Sequence, residues 1–154
     1  MTIGRKLKDY LSDAHVAYEL VEHPRSESSS QTAKAAHVPG DRLAKGVLLN
    51  HGEGYVLAVL PSTHKVDLDV LEQTLGRTLA MASETEIADL FDDCMTGAIP
   101  PTGAAYALET IVDESLDGQP EIWFEAGDHR TLVHVDQGAF QRLMAEARHA
   151  QFAC

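Results

Sequence analysis

The amino-acid sequence predicts a single α+β domain, built on a mixed β-sheet and spanning residues 1–154. The length suits one hydrophobic core, and a composition of 44% hydrophobic and 23% charged residues is typical of a globular protein. Helix-like and strand-like segments follow one another without the strict alternation of a doubly wound parallel sheet. Two apolar runs joined by the turn-rich residues 50–54 also predict an antiparallel β-hairpin.

Five helices are predicted from apolar residues that recur at helical spacing. Ser83 and Glu86 form a capping box before the fourth helix. Asp136 is the expected N-cap of the fifth helix, and Gly76 is the expected stop of the third. A polar run at residues 26–31 supplies N-caps for the second. The predicted helices cover residues 3–13, 32–37, 67–75, 83–91 and 137–149.

Six strands are predicted from apolar and β-branched runs that lie between turn signals. The second strand of the hairpin is apolar at nearly every position, which indicates a central strand covered on both faces. Residues 96–103 hold two glycines and two prolines and therefore predict a constrained loop. The predicted strands cover residues 16–21, 43–49, 55–61, 110–112, 121–125 and 131–135.

The sequence carries no signal for a membrane or for secretion. No apolar run approaches the ~18 residues that span a bilayer, and residues 1–15 mix charges with apolar residues, unlike a signal peptide. Two cysteines, Cys94 and Cys154, make neither a disulfide framework nor a metal-binding pair. We therefore expect a cytoplasmic protein with no membrane partner.

The charge balance argues against broad, nonspecific binding of nucleic acid. Twenty-four acidic and twelve basic side chains give a net charge of −12, which repels a polyphosphate at long range. A nucleic-acid function would have to use a local basic patch or a partner that supplies the charge. Eight of the twelve basic residues lie within the first 65 positions, and Arg42, Lys45 and Lys65 are the candidates for such a patch.

The common hydrolase and metal motifs are missing from the sequence. It has no G-x-S-x-G elbow, no H-E-x-x-H pair and no Walker loop. None of the eight histidines recurs at the i, i+4 spacing of a helical metal site. Cys94 has no basic neighbour in sequence that would lower its pKa, so a small apolar filler is the favoured interpretation of this residue. We predict no metal and no cofactor.

Lys45 interrupts the apolar run at residues 43–49. An ammonium group in such a run costs several kcal/mol unless it reaches water or meets an anion. One interpretation is an edge-strand lysine that faces solvent. The other is a lysine in a cleft, where it meets a phosphate or a carboxyl or carbonyl oxygen of a substrate.

The glycine loop, residues 97–103, is the second candidate for chemistry. Gly97 and Gly103 allow positive φ and a close approach of a ligand to the backbone, and Pro100 and Pro101 stiffen the path between them. Such a loop can direct several N–H groups to one point and so stabilise an oxyanion. The alternative is an ordinary tight connection.

Several ordered motifs resemble the YbaK/prolyl-tRNA synthetase-associated domain family. They are Lys45 in its strand, LAVLPSTHKVDLDVLEQTLG, MASETEIADLF, GAIPPTG and VDESL, and the resemblance runs from about Thr32 to Leu143. It implies a mixed, barrel-like sheet surrounded by helices. It also implies a deacylase that hydrolyses the ester between a wrong amino acid and the terminal adenosine of a tRNA, typically the tRNA for proline.

The resemblance also implies roles for individual residues. The family lysine corresponds to Lys45, and the family G-x-x-x-P loop corresponds to Gly97 and Pro101, which form the expected catalytic set. Lys45 would anchor a phosphate or the substrate carbonyl, and loop N–H groups would hold the carbonyl oxygen while water attacks. The expected substrate-binding residues are Gly46, Ala98, Ile99, Gly103, His129 and Arg42.

Two departures from the family pattern bear on which amino acid is accepted. Gly46 stands where the family usually has Thr or Ser, and residues 100–103 read Pro-Pro-Thr-Gly where it has Ser-Pro-Phe-Gly. For His129, a surface turn residue is the alternative to a pocket residue. The implied partners are the tRNA acceptor end and, for delivery, a synthetase or an elongation factor. The alternative function is a noncatalytic nucleotide-binding or synthetase-interacting module on the same fold.

Overall fold

A computed structural model of the chain describes residues 3–26 and 28–154. Glu27, within the predicted polar run, lies outside the described residues, as do Met1 and Thr2. Eight strands form one mixed sheet in the order β1-β7-β6-β2-β3-β5-β8, and β4 pairs with the far end of β2. The strands are β1 Glu19–Glu22, β2 Leu43–Asn50, β3 Tyr55–Pro61, β4 Ala80–Met81, β5 Glu109–Asp113, β6 Glu121–Glu125, β7 Thr131–Asp136 and β8 Arg148–Ala150.

Parallel and antiparallel pairs occur together in this sheet, which confirms the predicted α+β class. β2 runs antiparallel to β3 in the predicted hairpin and parallel to β6. β3–β5 and β5–β8 are also parallel, whereas β1–β7 and β6–β7 are antiparallel. β1 and β8 are the two end strands and do not pair with each other in the described part of the chain. The mixed sheet that the resemblance implies is therefore present, but it is open and does not close into a barrel.

Five α-helices pack around the sheet, as the spacing of apolar residues predicts. The capping box is formed, because the Glu86 N–H donates to Ser83 Oγ at 3.1 Å and the Ser83 N–H donates to Glu86 Oε1 at 2.9 Å. Asp136 caps the last helix through the Ala139 N–H at 2.8 Å. The helices are α1 Arg5–Asp13, α2 Ser29–Ala36, α3 Leu68–Leu75, α4 Glu84–Leu90 and α5 Gln137–Leu143.

The predicted central strand is β3, and alternate side chains of this strand enter two separate hydrophobic clusters. Leu57 and Val59 belong to a large cluster with α1 and α5, whereas Val56, Ala58 and Leu60 belong to a smaller one with α3. Every one of these five side chains is fully buried. The sheet is therefore covered on both faces at its centre, which confirms the prediction.

The last predicted helix, over residues 137–149, is wrong beyond Leu143. Phe140, Leu143 and Met144 are buried as the spacing predicts. The Leu143 carbonyl accepts a hydrogen bond from the Tyr10 hydroxyl at 2.7 Å, and the chain then turns to form β8 beside β5. Backbone pairing along an open strand outweighs the helical spacing there, because it satisfies polar groups that the edge of β5 would leave unpaired.

Three smaller differences separate the predicted elements from the observed ones. β1 begins at Glu19, later than the predicted residue 16, and β4 is a two-residue strand that no pattern predicts. Gly103–Tyr106, at the end of the predicted glycine loop, forms a short 3-10 turn.

None of the described helices is long and apolar enough to cross a bilayer.

Candidate active site

A gap in the strand pairing of β2 creates a cavity that contains several of the residues singled out in the sequence. On one side, β2 pairs with β6 only through Leu43 and Ala44, and with β4 only through Leu49 and Asn50. Residues 45–48 therefore have no strand partner on that side within the described residues. A cavity of about 200 Å³ opens along this stretch of backbone.

This cavity brings together residues from five elements of the fold. Of the residues singled out in sequence, Lys45 and Gly46 contribute from β2, and Gly97 and Ile99 contribute from the glycine loop. Glu125 contributes from the end of β6. The full lining consists of Lys45, Gly46, Val47, Leu48, Met81, Ala82, Ile87, Gly97, Ile99 and Glu125.

The apolar wall of the cavity comes from β4 and α4, which are tied to the hairpin by Glu86. Glu86 Oε2 accepts hydrogen bonds from Asn50 Nδ2 at 2.9 Å and from the Tyr55 hydroxyl at 2.5 Å. The hydrogen bond from the Ser83 N–H, together with those from Tyr55 and Asn50, lowers the pKa of Glu86 to about 2. The carboxylate thus fixes the first turn of α4 on β2 and β3 and places Ile87 against the cavity.

Lys45 lies on β2, which is an inner strand of the sheet, but at a position where β2 has no strand partner on the side of the cavity. Its side chain is half-buried, and burial lowers its pKa, with a further lowering by the positive charge of Lys65. Across residues 3–26 and 28–154 no carboxylate forms an ion pair with Lys45. The ammonium group is therefore available to an oxygen of a ligand.

The glycine loop presents two free backbone donors. Gly97 has a φ of +89°, a conformation that favours glycine, and is exposed. The Ala98 N–H donates to the Met95 carbonyl at 3.0 Å and is used within the loop. The N–H groups of Gly97 and Ile99 meet no protein acceptor among the described residues.

The hairpin loop between β6 and β7 holds the glycine loop in place. The Met95 N–H donates to the Gly127 carbonyl at 2.8 Å, and His129 Nε2 donates to the Thr96 carbonyl at 2.8 Å. His129 is 2% exposed and does not line the cavity. His129 is therefore a buried residue that fixes the backbone at Thr96, next to Gly97.

The remaining sequence-predicted residues lie outside the cavity lining. Arg42 forms an ion pair with Glu121 at 3.2 Å and a hydrogen bond with Gln119 Oε1 at 3.1 Å. Gly103 packs against Thr110, where a Cβ would clash with the Thr110 hydroxyl. Ala98 and Pro101 are buried within the loop.

Glu125 is the one ionisable residue of the cavity lining that was not singled out in the sequence. It is 6% exposed, and its Oε1 accepts a hydrogen bond from Thr32 Oγ1 at 2.9 Å. Ser26 Oγ lies 2.6 Å from Thr32 Oγ1, so the Ser26 hydroxyl is the donor of that bond. Burial, with a smaller contribution from the charge of Asp128, raises the pKa of Glu125 to about 7. A charged residue at the end of the apolar strand 121–125 was the only signal in the sequence.

Replacement of Glu125 by glutamine is expected to stabilise the protein at pH 8. The carboxyl has a higher pKa in the folded state than in the unfolded chain, so wild-type stability falls as the pH rises from about 4.5 to 7. Relative to wild type, the variant should gain about 2–3 kcal/mol in the free energy of unfolding between pH 5 and pH 8. Urea unfolding at the two pH values measures this difference. An equal difference between the two proteins at both pH values would contradict the assigned burial of the charge.

Cys94 lies outside the cavity lining, in a hydrogen-bonded cluster. Its Sγ lies 3.3 Å from Asp93 Oδ1 and 3.2 Å from the Tyr106 hydroxyl. Burial raises the pKa of the Cys94 thiol to about 12, so the thiol is protonated at neutral pH. No cluster of three or more His, Cys, Asp or Glu side chains able to hold a metal ion occurs among the described residues.

Comparisons with solved structures show the same fold in other proteins. A protein provisionally assigned as a trans-editing enzyme for prolyl tRNA synthetase is 23% identical, with a TM-score of 0.84, and the match covers 96% of this chain and 94% of that one. A protein described as hypothetical is 15% identical, with a TM-score of 0.85, covering 97% of this chain and 100% of its own. A protein from Marinobacter aquaeolei VT8, provisionally assigned to signal transduction, is 22% identical with a TM-score of 0.78, and the match covers 99% of this chain and 31% of that one.

Sequence comparison identifies the family. No curated protein is significantly similar to this chain. The family model for the aminoacyl-tRNA editing domain matches residues 23–143, which is most of the chain and includes Lys45, Gly97 and Glu125. This match confirms the resemblance found in the sequence motifs. The chain therefore belongs to the aminoacyl-tRNA editing domain family.

Proposed function

We propose that this protein is a trans-editing deacylase, which hydrolyses the ester between a wrong amino acid and the terminal adenosine of a tRNA. Membership of the editing-domain family supports an editing function. The observation that carries the proposal is the cavity, which is lined by Lys45, Gly97 and Ile99. Among the described residues, the Lys45 ammonium has no carboxylate partner and the N–H groups of Gly97 and Ile99 have no protein acceptor. The motif resemblance favours the tRNA for proline as the acceptor.

The proposed reaction needs no nucleophile from the protein. The oxygen of a water molecule attacks the ester carbonyl carbon, and the carbonyl oxygen gains negative charge that the N–H groups of Gly97 and Ile99 would stabilise. The bond from that carbon to the ribose oxygen then breaks. The ribose oxygen takes up the proton that the water loses, with a vicinal ribose hydroxyl as the relay, and the products are the free amino acid and the tRNA.

Lys45 and Lys65 place two positive charges near each other on this acidic chain. Lys65 is close enough to Lys45 to lower its pKa, and its backbone is fixed by two hydrogen bonds to Cys154 of 2.8 and 3.0 Å. We propose that this pair receives the phosphates of the tRNA acceptor end. Binding should then weaken as salt rises, and a synthetase or an elongation factor that delivers the tRNA would compensate.

The test is to incubate the purified protein with a panel of mischarged tRNAs and with correctly charged prolyl-tRNA. Loss of the amino acid from a mischarged tRNA, with the prolyl ester preserved, is the expected result. Retention of every ester on tRNAs that the protein nevertheless binds would overturn the deacylase and favour the noncatalytic binding module. The panel also identifies the amino acid that the cavity accepts.

Replacement of Cys94 or Cys154 by alanine should leave deacylation unchanged. The proposed chemistry uses water, and the Cys94 thiol is protonated and hydrogen-bonded away from the cavity. Cys154 is exposed, and its backbone rather than its side chain contacts Lys65. Single-turnover rates on a mischarged tRNA measure the effect. A large loss of rate in the Cys94 variant, with an unchanged melting temperature, would contradict the water mechanism.

A further inference from the structure

The proposed reaction leaves one ionisable group of the cavity without a role. Ala44 and Phe124 are the last paired residues where β2 and β6 run together, and Lys45 and Glu125 are the next residue of each strand. Both side chains line the cavity that opens at this point. The divergence of the two strands therefore brings a cationic and an acidic side chain into one pocket.

The two carboxylate oxygens of Glu125 have different surroundings. Oε1 accepts from Thr32, whose hydroxyl in turn accepts from Ser26, so two buried hydroxyl groups in series support a negative charge on the carboxylate. Oε2 is buried and has no hydrogen-bond partner among the described residues. A buried acceptor without a partner is costly, and this one belongs to a side chain that lines the cavity.

Lys45 does not supply the missing partner. No ion pair joins Lys45 and Glu125 in the part of the chain that the structure describes, and the charge that acts on Lys45 is that of Lys65. The cavity thus holds a cation and an acidic group that do not neutralise each other. A ligand that complements both groups has an oxygen that accepts a hydrogen bond from the Lys45 ammonium. It also has a cationic donor that binds the Glu125 carboxylate.

We propose that Glu125 binds the α-ammonium group of the substrate, so that the site takes esters of amino acids with a free α-amino group and rejects N-acylated ones. This inference rests on the proposed function. An aminoacyl ester has the required pair of groups, a carbonyl oxygen and an ammonium group separated by a few bonds. N-acylation removes the positive charge and the donors, and it adds bulk within a cavity of about 200 Å³.

The proposed selectivity has a physical reason for the ester with a free amino group and another for the N-acylated ester. An ammonium donating to Glu125 Oε2 forms a charge-assisted hydrogen bond, which is stronger than a neutral one. An N-acylated ester would leave Oε2 buried without a partner and would therefore bind at a cost. We expect at least about tenfold discrimination between the two substrate types. Peptidyl and formylaminoacyl esters of tRNA would be excluded by the same carboxylate.

The test uses stable analogues, so that binding is measured apart from hydrolysis. Alanyl and seryl derivatives of 3′-amino-3′-deoxyadenosine, in which an amide replaces the ester, are titrated in free-amino and N-acetylated forms. Wild-type protein should prefer the free-amino form at least about tenfold. In Glu125→Gln the two affinities should become nearly equal, and Glu125→Asp should keep part of the preference because the charge remains. Glu109→Gln, an exposed carboxylate paired with Arg77, is the matched control.

Each outcome bears on the inference. Equal affinities of wild-type protein for the two forms, or no binding of either, would overturn it. A Glu125→Gln variant that keeps the preference but loses ester hydrolysis would also overturn it, since Glu125 would then act on water and not on the ammonium group. Ester hydrolysis of mischarged tRNA, followed in parallel, separates the two proposals. If the protein hydrolyses mischarged tRNA but binds the free-amino and N-acetylated analogues equally, the deacylase is supported and the role of Glu125 is overturned. If it prefers the free-amino analogue but hydrolyses no ester, the role of Glu125 is supported and the deacylase is overturned.

Discussion

Replacement of Lys45 by alanine is expected to slow deacylation by about 30- to 1000-fold and to leave the fold intact. The ammonium group is half-buried in the cavity and has no carboxylate partner in the described structure, so its interaction energy is available to the substrate. Loss of a charge-assisted contact in the transition state costs about 2–4 kcal/mol, which corresponds to this loss of rate. Single-turnover hydrolysis of a mischarged tRNA measures the effect.

Lys65 provides the matched control for this prediction. It carries the same charge close to Lys45 but does not line the cavity. Lys65→Ala should weaken tRNA binding and its salt dependence, while the rate for bound substrate stays near that of wild type. A Lys45→Ala variant that hydrolyses the ester at a rate near wild type would remove Lys45 from the site.

The second large effect is expected for Gly97→Ala, which should slow turnover by about a hundredfold with little change in tRNA affinity. Gly97 has a φ of +89°, which an alanine adopts only with strain. The strain would displace the N–H groups that meet the developing oxyanion, and a displacement of ~1 Å can cost about a hundredfold in rate. The tRNA phosphates are proposed to bind the ammonium groups of Lys45 and Lys65, which this substitution leaves in place, so affinity should persist.

Gly52→Ala separates strain from chemistry in this experiment. Gly52 has a φ of +92° in the exposed hairpin turn and does not line the cavity, so an alanine there meets a similar backbone penalty outside the site. The two variants should lose similar stability, and only Gly97→Ala should lose turnover. A large loss of affinity with an unchanged single-turnover rate in Gly97→Ala would make this glycine a binding or folding residue.

Local signals predict those parts of the fold that local contacts determine. The capping box of Ser83 and Glu86 and the N-cap of Asp136 form as their spacing predicts, because the donor and acceptor are only three residues apart. β8 could not be predicted in the same way. It depends on the edge of β5, which is more than thirty residues earlier in the chain, and its own residues fit a helix equally well.

Some residues of the site can likewise be recognised from their neighbours in sequence, whereas others can be recognised only from contacts between distant parts of the chain. Lys45 stands out in sequence as a charge within an apolar run, and Gly97 stands out as a glycine in a proline-rich loop. Glu125 becomes notable only when β6 lies beside β2, since the register of Ala44 with Phe124 makes it the neighbour of the cavity. His129 and Arg42 are singled out by residue type, but their partners, the Thr96 carbonyl and the Glu121 carboxylate, are visible only in three dimensions.

Along the break in the pairing of β2, the groups proposed to act on the ester and the side chains that shape the cavity belong to different elements of the fold. The groups proposed to act on the ester are attached to a central strand and to a loop anchored by Gly127 and His129, positions that cannot shift without disturbing the sheet. Met81 and Ile87, by contrast, border the cavity from a two-residue strand and a two-turn helix. Under the proposed function, substitutions at these two positions would change which amino acid fits, while the groups proposed to react with the ester keep their places.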